Sequence, residues 1–404
     1  MPKRWRAQLP ADGGSLDQQA ASSRRRGVGV AVWLLLILLF GGASGPSESI
    51  FGQNANSRRW HPTRVPAGTK FLGDQVCAEC HQSRVTLQRQ NSMAVAMESV
   101  AESKVLSTHP KMTFRSGAYS FEIVRGDNQS IYTVSDGKEA ISLPILYAFG
   151  QGKAGQTYVV EYNGAYYESL VSFYNEIKGL DFTIGAAREA PPSLTGALGR
   201  RLSRDDVLNC FACHSTGAVV GGQLHLDRLT LGVRCELCHG PGGEHVAAGR
   251  AGQPNAALIF NPSRLGGDQL SQEFCASCHR GSEEFTLLRS LEINNVRFQP
   301  YRIFKSKCYS DDRRISCTAC HNPHEPLRHE AAYYDAKCLS CHQAGEKSKD
   351  AAAKPDPEKK PLVCRVETKN CASCHMPKLE PPGAHFKFTD HHIRIVRPNE
   401  AYPN

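Results

Sequence analysis

Seven times the chain reads Cys-x-x-Cys-His: Cys77/Cys80/His81, Cys210/Cys213/His214, Cys235/Cys238/His239, Cys275/Cys278/His279, Cys317/Cys320/His321, Cys338/Cys341/His342 and Cys371/Cys374/His375. Two thiols three positions apart can form thioethers to the two vinyl groups of one haem, and the adjacent imidazole then reaches the iron from the same side. One such motif alone would also suit a redox dithiol or half of a zinc site. Seven of them, each closed by histidine and together using 14 of the 16 cysteines, point instead to seven covalently bound haem c groups.

Each iron has a second axial position, and nine histidines lie outside the motifs: His61, His109, His225, His245, His324, His329, His385, His391 and His392. His245 follows the third motif across Gly240, Gly242 and Gly243, which permit a tight reversal, and His324 follows the fifth across Asn322-Pro323; both are strong candidates. His385 and His391 are six residues apart, so an extended strand would put both on one face and His392 on the other. His109 and His225 complete the candidate set, with His61, His329 and His392 ranked last because an isolated surface imidazole is usually only solvated. Cys308 and Cys364 are left over; they could pair as a disulfide in an oxidising compartment, or Cys308 could serve as an unusual iron ligand.

The elements that hold these residues must be packed closely. From His214 to His375 the motif histidines are 25, 40, 42, 21 and 33 residues apart, too close for independent haem domains, so the macrocycles must share walls and form an electron path. No stretch in this part is apolar enough for an ordinary core. Large apolar macrocycles would substitute for it, and without them this part should be largely unfolded. A helix is expected after the first motif, where apolar residues recur at helical spacing from Arg84 to Val100. Residues 113–175 differ, with short β-branched and aromatic runs separated by Gly126-Asp127-Asn128, Asp136-Gly137 and Asn163-Gly164, which are hairpin signals.

The formal net charge of +9 does not indicate a nucleic-acid partner. Six basic residues against two acids fall in the first 26 positions, haem propionates would offset much of the remainder, and no long basic run interleaved with aromatics occurs. Residues 1–26 read as a basic cytoplasmic segment, and 27–47, uncharged and apolar behind Arg24, Arg25 and Arg26, as a transmembrane anchor or an export signal. Small residues at 41–45 leave cleavage open. Residues 48–70 read as a tether and 71–404 as a heptahaem domain. The expected architecture is therefore mainly α and loop-rich, with a small antiparallel β insertion at 113–175 and an N-terminal transmembrane or signal helix.

The run Gly232-Val233-Arg234-Cys235-Glu236-Leu237-Cys238-His239-Gly240-Pro241-Gly242, the stretch Cys317 to His324, the stretch Cys371 to Lys378 and His385 to His391 together resemble the bacterial multihaem cytochromes related to the tetrahaem cytochrome of ammonia oxidisers, pentahaem nitrite reductase and octahaem hydroxylamine oxidoreductase. The resemblance runs from about Phe71 to Arg397. It implies closely stacked, mostly bis-histidine haems on a largely helical scaffold, with His245, His324 and His391 on positions resembling distal ligands. Where many relatives place a histidine after the first motif, this chain has Asn91-Ser92-Met93-Ala94, which makes Met93 a candidate methionine ligand; its rival reading is ordinary apolar packing. The catalytic haem of pentahaem nitrite reductases commonly takes a lysine, and no Cys-x-x-Cys-Lys occurs here.

Three functions follow as expectations. The first is an electron carrier on the periplasmic side of the inner membrane, anchored or exported, linking a membrane donor to a redox partner protein. The second is a multihaem oxidoreductase acting on a small nitrogen or sulfur oxyanion at an iron with no strong distal ligand. The third is a structural haem subunit of a respiratory complex.

Overall fold

The computed structural model describes residues 60–283, 293–310, 315–342, 364, 366–397 and 399–403. All described residues belong to one compact unit. The basic segment 1–26 and the apolar segment 27–47 lie outside the described residues. Among the described residues no helix is long and apolar enough to cross a membrane. The expected tether is folded from Trp60 onward: Trp60 and Val65 are buried with Phe260, Leu270 and Phe274, and the Trp60 indole donates to the Leu237 carbonyl.

The expectation of a mainly helical chain with a small β insertion is wrong. The largest element is a curled antiparallel half-barrel built from residues 97–201. Its strands are β1 (Met97–Glu98), β2 (Lys111–Ser116), β3 (Tyr119–Arg125), β4 (Ser130–Ser135), β5 (Ala140–Phe149), β6 (Thr157–Tyr162), β7 (Ala165–Ser169) and β10 (Gly199–Arg201); β8 (Val171–Tyr174) and β9 (Gly179–Phe182) form a separate hairpin. The order is β10-β7-β6-β5-β4-β3-β2, with β1 joining the far end of β5 where Met97 lies opposite Phe149.

The local sequence explains this geometry. Ser130, Tyr132 and Val134 of β4 alternate inward, as a half-buried strand requires. Asn163 and Gly164 both take positive φ (50° and 74°), the conformation of a two-residue hairpin turn whose twist matches the strands. β5 pairs with β4 through residues 140–144 and with β6 through 145–149, and the register slips between Ile145 and Tyr147. This bulge bends the sheet. The sheet reaches beyond 113–175 because Pro144 disguises β5, since proline usually marks an edge or a break, and because Gly199-Arg200-Arg201 carries no strand-forming side chain. One cluster of buried apolar residues fills the half-barrel, including Leu106, Phe121, Ile123, Tyr132, Val134, Phe173 and Leu198, all at 1% exposure or less. At roughly 1.5–3 kcal/mol for each large side chain buried, this part carries its own core.

Helices elsewhere are short, the longest described being Asp74–Gln88 with 15 residues. It does not continue to Val100 as the periodicity suggested. The Asn91 side chain accepts from Met93 N at 2.9 Å, capping a separate 3-10 turn at Ser92–Val95, and donates to the Glu325 carbonyl at 2.6 Å. A polar side chain that bonds the backbone in this way competes with helix continuation.

Candidate haem-binding sites

All seven motifs lie in or directly at the end of helical turns: Asp74–Gln88, Arg204–His214, Cys235–His239, the π-helical Gln269–Cys275 running into Ala276–His279, Cys317–Cys320, Ala331–His342 and Cys371–His375. Helical geometry puts residues three apart on one face, so each pair of thiols is presented side by side.

The motif cysteines are not equally enclosed. Cys80, Cys341 and Cys374, the second cysteines of the first, sixth and seventh motifs, are exposed, whereas the other eleven are half-buried. The reason lies in the helices that carry them. Asp74–Gln88 buries only Asp74, Val85 and Gln88, Ala331–His342 buries only Asp335, and Cys371–His375 buries no residue, so all three turns lie at the surface and direct their second thiol outward. The thiols of Cys341 and Cys374 meet only the hydroxyls of the preceding Ser340 and Ser373, at 4.0 and 3.8 Å, among the hydrogen bonds of the described residues. An exposed thiol can still form its thioether, and the macrocycle it anchors would then present an edge to solvent.

Buried acids tie the turns together. Glu236, inside the third motif and 3% exposed, accepts from Leu72 N and Gly73 N at 2.7 Å each and from Gly242 N at 2.9 Å, fixing the start of the first motif's helix to the third motif. Asp335, on the sixth motif's helix, accepts from Asn370 N at 2.7 Å and Cys371 N at 2.8 Å and thereby starts the seventh.

As a result the first cysteines and the enclosed second ones meet across motifs. The thiols lie close enough to perturb one another in pairs, Cys77 with Cys235, Cys213 with Cys278, Cys275 with Cys317 and Cys338 with Cys371. Cys213 Sγ also approaches the Ser277 carbonyl at 3.7 Å, and Cys317 N donates to Ser271 Oγ at 3.3 Å. Cys238 and Cys275 pack against one cluster, and burial pushes the Cys238 thiol up to about 12. Cys320 lies near Cys338, and the His321 ring meets Tyr334 edge-on at 5.7 Å.

Three motif imidazoles face imidazoles from outside the motifs. The ring centroids of His81 and His245 are 6.3 Å apart with planes 11° from parallel, those of His239 and His324 5.8 Å apart at 13°, and those of His321 and His391 6.2 Å apart at 43°. Two imidazoles bound to opposite sides of one metal, with about 2 Å per metal–nitrogen bond and about 1.1 Å from nitrogen to ring centre, would stand about 6 Å apart. The spacing therefore fits one iron between each pair. The tautomers fit as well: Nδ1 of His239, His245 and His391 approaches the carbonyls of Phe260, Asn255 and Thr389 at 3.0 Å each, which leaves Nε2 free to ligate. Burial, assisted by His321, pushes His391 down to about 4, so it stays neutral, as a ligand must. Among the described residues no group of three or more His, Cys, Asp or Glu converges as a tetrahedral zinc site would need. Cavities of about 500 Å³ beside Asp74, Arg89 and Arg234, and of about 300 Å³ beside His321 and Lys337, adjoin the motifs and offer cations to propionates.

The other candidates are placed differently. His214 donates Nδ1–H to the Ala96 carbonyl at 3.0 Å, and Phe149 stands edge-on to its ring at 5.3 Å; among the described residues no second imidazole contacts it. His279 is lowered by burial and then by nearby His214 and His321. His375 donates Nδ1–H to the Arg394 carbonyl at 2.9 Å, and His342 ends the helix Ala331–His342. His385 adopts positive φ and places Nε2 2.6 Å from Asp181 Oδ2 on β9, so its ligating nitrogen is taken by a carboxylate. His109 packs on Phe173 at the half-barrel, with ring centroids 4.6 Å apart. His225 caps a short 3-10 turn, and His329 is exposed. His61 lies beside Thr63, while Nδ1 of His392 is buried with no hydrogen-bond partner. Met93 sits half-buried in its 3-10 turn and its carbonyl receives Val233 N at 2.9 Å, between the second and third motifs rather than on the first motif's helix. Cys308 and Cys364 are not joined by a disulfide; Cys308 lies close to Cys320, and Cys364 is exposed. Sequence reasoning misses Glu236, Asp335 and Asp390; an acid between the two cysteines of the third motif is the one available signal.

Comparison with known proteins adds three findings. The family described as cytochrome c554 and c-prime matches residues 195–240, which include the second and third motifs. The chain is 22% identical over 204 residues to the multihaem cytochrome MtrA of Shewanella baltica (strain OS185), covering 48% of this chain and 50% of that protein. It thus spans about half the length of that curated relative. The crystal structure of the outer cell wall cytochrome OcwA aligns with a TM-score of 0.40 and 16% identity, covering 81% of this chain and 80% of that one.

Proposed function

We propose that this chain, a multihaem c-type cytochrome, transfers electrons between a donor and a redox partner protein through seven haems, on the periplasmic side of the inner membrane. The seven motifs touch in an unbroken series, and that observation carries the reading. Glu236 ties the first motif's helix to the third motif, third and fourth pack on one apolar cluster, Cys317 N on Ser271 joins fifth to fourth, His321 on Tyr334 joins fifth to sixth, Asp335 joins sixth to seventh, and the second reaches the fourth through Cys213 and the Ser277 carbonyl. Bound haem iron supplies reversible one-electron exchange. The protein's part would be to hold the macrocycles in contact and to offer His245, His324 and His391 as ligands, with burial favouring the neutral form of His324 and His391. The exposed Cys80, at one end of the series, and Cys341 and Cys374, at the other, suit a carrier that must meet its partners at both ends. The arginines before the apolar stretch 27–47 support export.

Mass spectrometry of the exported protein should show seven haem additions, and a single electron injected photochemically should spread over all seven irons at a rate independent of protein concentration. An electron held at one iron until a second molecule collides would refute the wire. Met93 is proposed as a ligand to an iron outside its own motif. Met93→Ala should then abolish the weak red absorption of a methionine-ligated ferric haem and lower one potential, and an unchanged spectrum makes it packing.

A second reading is favoured at His214, where an aromatic edge rather than an imidazole stands by the ring. If that iron is open, cyanide or carbon monoxide should bind one haem in seven rapidly. Slow binding at every haem leaves the carrier alone.

A further inference from the structure

Near the C-terminal end of the described chain lies a buried ion network that the electron-carrier reading does not use. Arg302 and Asp390 are both 0% exposed and pair bidentately, Nε to Oδ1 at 2.8 Å and Nη2 to Oδ2 at 3.0 Å. Arg302 Nη1 also donates to the Pro403 carbonyl at 2.7 Å, and its guanidinium lies 4.6 Å from the ring centre of Tyr402. Asp390 takes a second cation, Arg394, whose Nη1 donates to Oδ2 at 2.7 Å and to the His392 carbonyl at 3.1 Å, and its Oδ1 also caps His392 N at 3.0 Å. Burying this many charges is costly unless every partner is present, and replacing the pair with apolar residues is often no loss. Stability alone is therefore a weak reason for it.

Its position gives a better one. Asp390 directly precedes His391, the imidazole facing His321. Four residues on, Arg394 is joined twice to the seventh motif's histidine: His375 Nδ1–H donates to the Arg394 carbonyl at 2.9 Å, and Arg394 N donates to the His375 carbonyl at 3.2 Å. Between them Ser306 fastens the same turn to the helix Gln299–Phe304 side, giving Oγ–H to the His391 carbonyl at 3.0 Å and accepting from Ile393 N at 2.8 Å. One five-residue turn, 390–394, thus holds a distal imidazole for the fifth motif and the carbonyl that orients the proximal imidazole of the seventh.

We propose that Asp390 is a positioning residue for two irons at once, those of the fifth and seventh motifs, by fixing the turn that carries His391 and the Arg394 carbonyl. This rests on the reading of His321, His391 and His375 as iron ligands. Hydrogen bonds to the outer nitrogen of a ligating histidine set its tautomer, orientation and basicity, so a shift in this turn must register at both metals.

The test uses the holoprotein with Asp390→Asn and Arg394→Gln, read by haem mass, electron paramagnetic resonance and potentiometric titration. His391→Ala identifies the fifth-motif signal by turning it high-spin, and a Cys371→Ala/Cys374→Ala protein identifies the seventh by its loss. With seven haems retained, Asp390→Asn should shift these two potentials and leave the other five in place. Arg394→Gln spares the Arg302–Asp390 pair, so it should fold even if Asp390→Asn does not, and it should move the seventh-motif signal. Loss of the exposed Lys111–Glu122 pair on the half-barrel through Glu122→Gln should move none. Folded variants in which neither signal moves, only one moves under Asp390→Asn, or all seven move together overturn the proposal. If His391→Ala leaves every haem low-spin, the ligand reading beneath it has failed instead.

Discussion

Glu236→Gln isolates the contact on which the first step of the haem series depends. The carboxylate holds three backbone N–H groups at 2.7, 2.7 and 2.9 Å in a position 3% exposed. Glutamine can keep its oxygen on Leu72 N and Gly73 N, but its amide then turns an N–H toward the Gly242 N–H. One charge-assisted bond, worth roughly 1.5–3 kcal/mol, is lost, and a buried donor left unmatched adds roughly 1–3 kcal/mol. With partial relaxation the expected cost is about 3 kcal/mol. Because the carboxylate joins Leu72 and Gly73 to the third motif, the loosened part is the start of the helix that carries Cys77 and His81. Guanidinium unfolding of the holoprotein should show the loss, and the potentials of the first and third motifs' haems should change while those of the sixth and seventh do not. Glu79→Gln, which breaks an exposed pair with Arg250, should cost less than about 1 kcal/mol. A Glu236→Gln protein as stable as the Glu79→Gln one, or one destabilised with all potentials unchanged, would refute the reasoning.

Three further outcomes are expected. His245→Ala, His324→Ala and His391→Ala should each convert one low-spin haem to high-spin in the magnetic resonance spectrum, whereas His385→Ala should convert none because its Nε2 serves Asp181. Burial alone would raise the Asp181 carboxyl, but the bonds from His385 and Phe182 N and the charge of Arg188 outweigh it and hold it below the usual value. A depressed carboxyl contributes stability above its unfolded pKa that is lost as pH falls through its folded one, so thermal stability should drop in acid below the ordinary carboxylate range, and Asp181→Asn should flatten that drop. Finally, protein expressed without haem attachment should keep the strand signal of residues 97–201 in circular dichroism and protect their amides from exchange, while the motif helices exchange freely; uniform exchange would show that the half-barrel core is insufficient.

The motif residues are legible in the sequence because thioether chemistry fixes their spacing, and a covalent rule survives any tertiary arrangement. Their enclosure is not, since nothing in the repeated motif distinguishes the exposed Cys80, Cys341 and Cys374 from the half-buried Cys213 or Cys238; that depends on which turns the rest of the chain covers. His245 and His324 stand out beside Gly242-Gly243 and Asn322-Pro323, but a local reversal does not give their partners, since they face His81 and His239 of other motifs and not the motifs they follow. Reading His385 as a ligand assumes an extended strand, but the regular strand there covers only Phe388–Thr389, and φ of 48° at His385 turns it toward β9. Asp390 and Arg302, 88 residues apart, are not legible, because a buried ion pair depends on which distant segments meet. The half-barrel is underestimated at its ends, where Pro144 and Gly199-Arg200-Arg201 contradict strand preference and tertiary pairing overrides it.

The half-barrel and the motif region solve the problem of an interior in different ways, and one atom shows how they join. The Ala96 carbonyl accepts from Gly150 N at 2.8 Å, directly after β5, and from His214 Nδ1 at 3.0 Å. Phe149, the last residue of β5, supplies the edge-on ring against that imidazole. A β-sheet with its own apolar core is therefore the rigid body against which the second motif's histidine is set, and the residues just before Ala96 are pinned from the other side. Gly232 takes φ of 76° there, and a Cβ on it would stand 1.9 Å from the Ala94 carbonyl oxygen. Only glycine permits that approach. The second motif's imidazole thus takes its orientation from the Ala96 carbonyl and the Phe149 edge, both set by a sheet that carries its own apolar core.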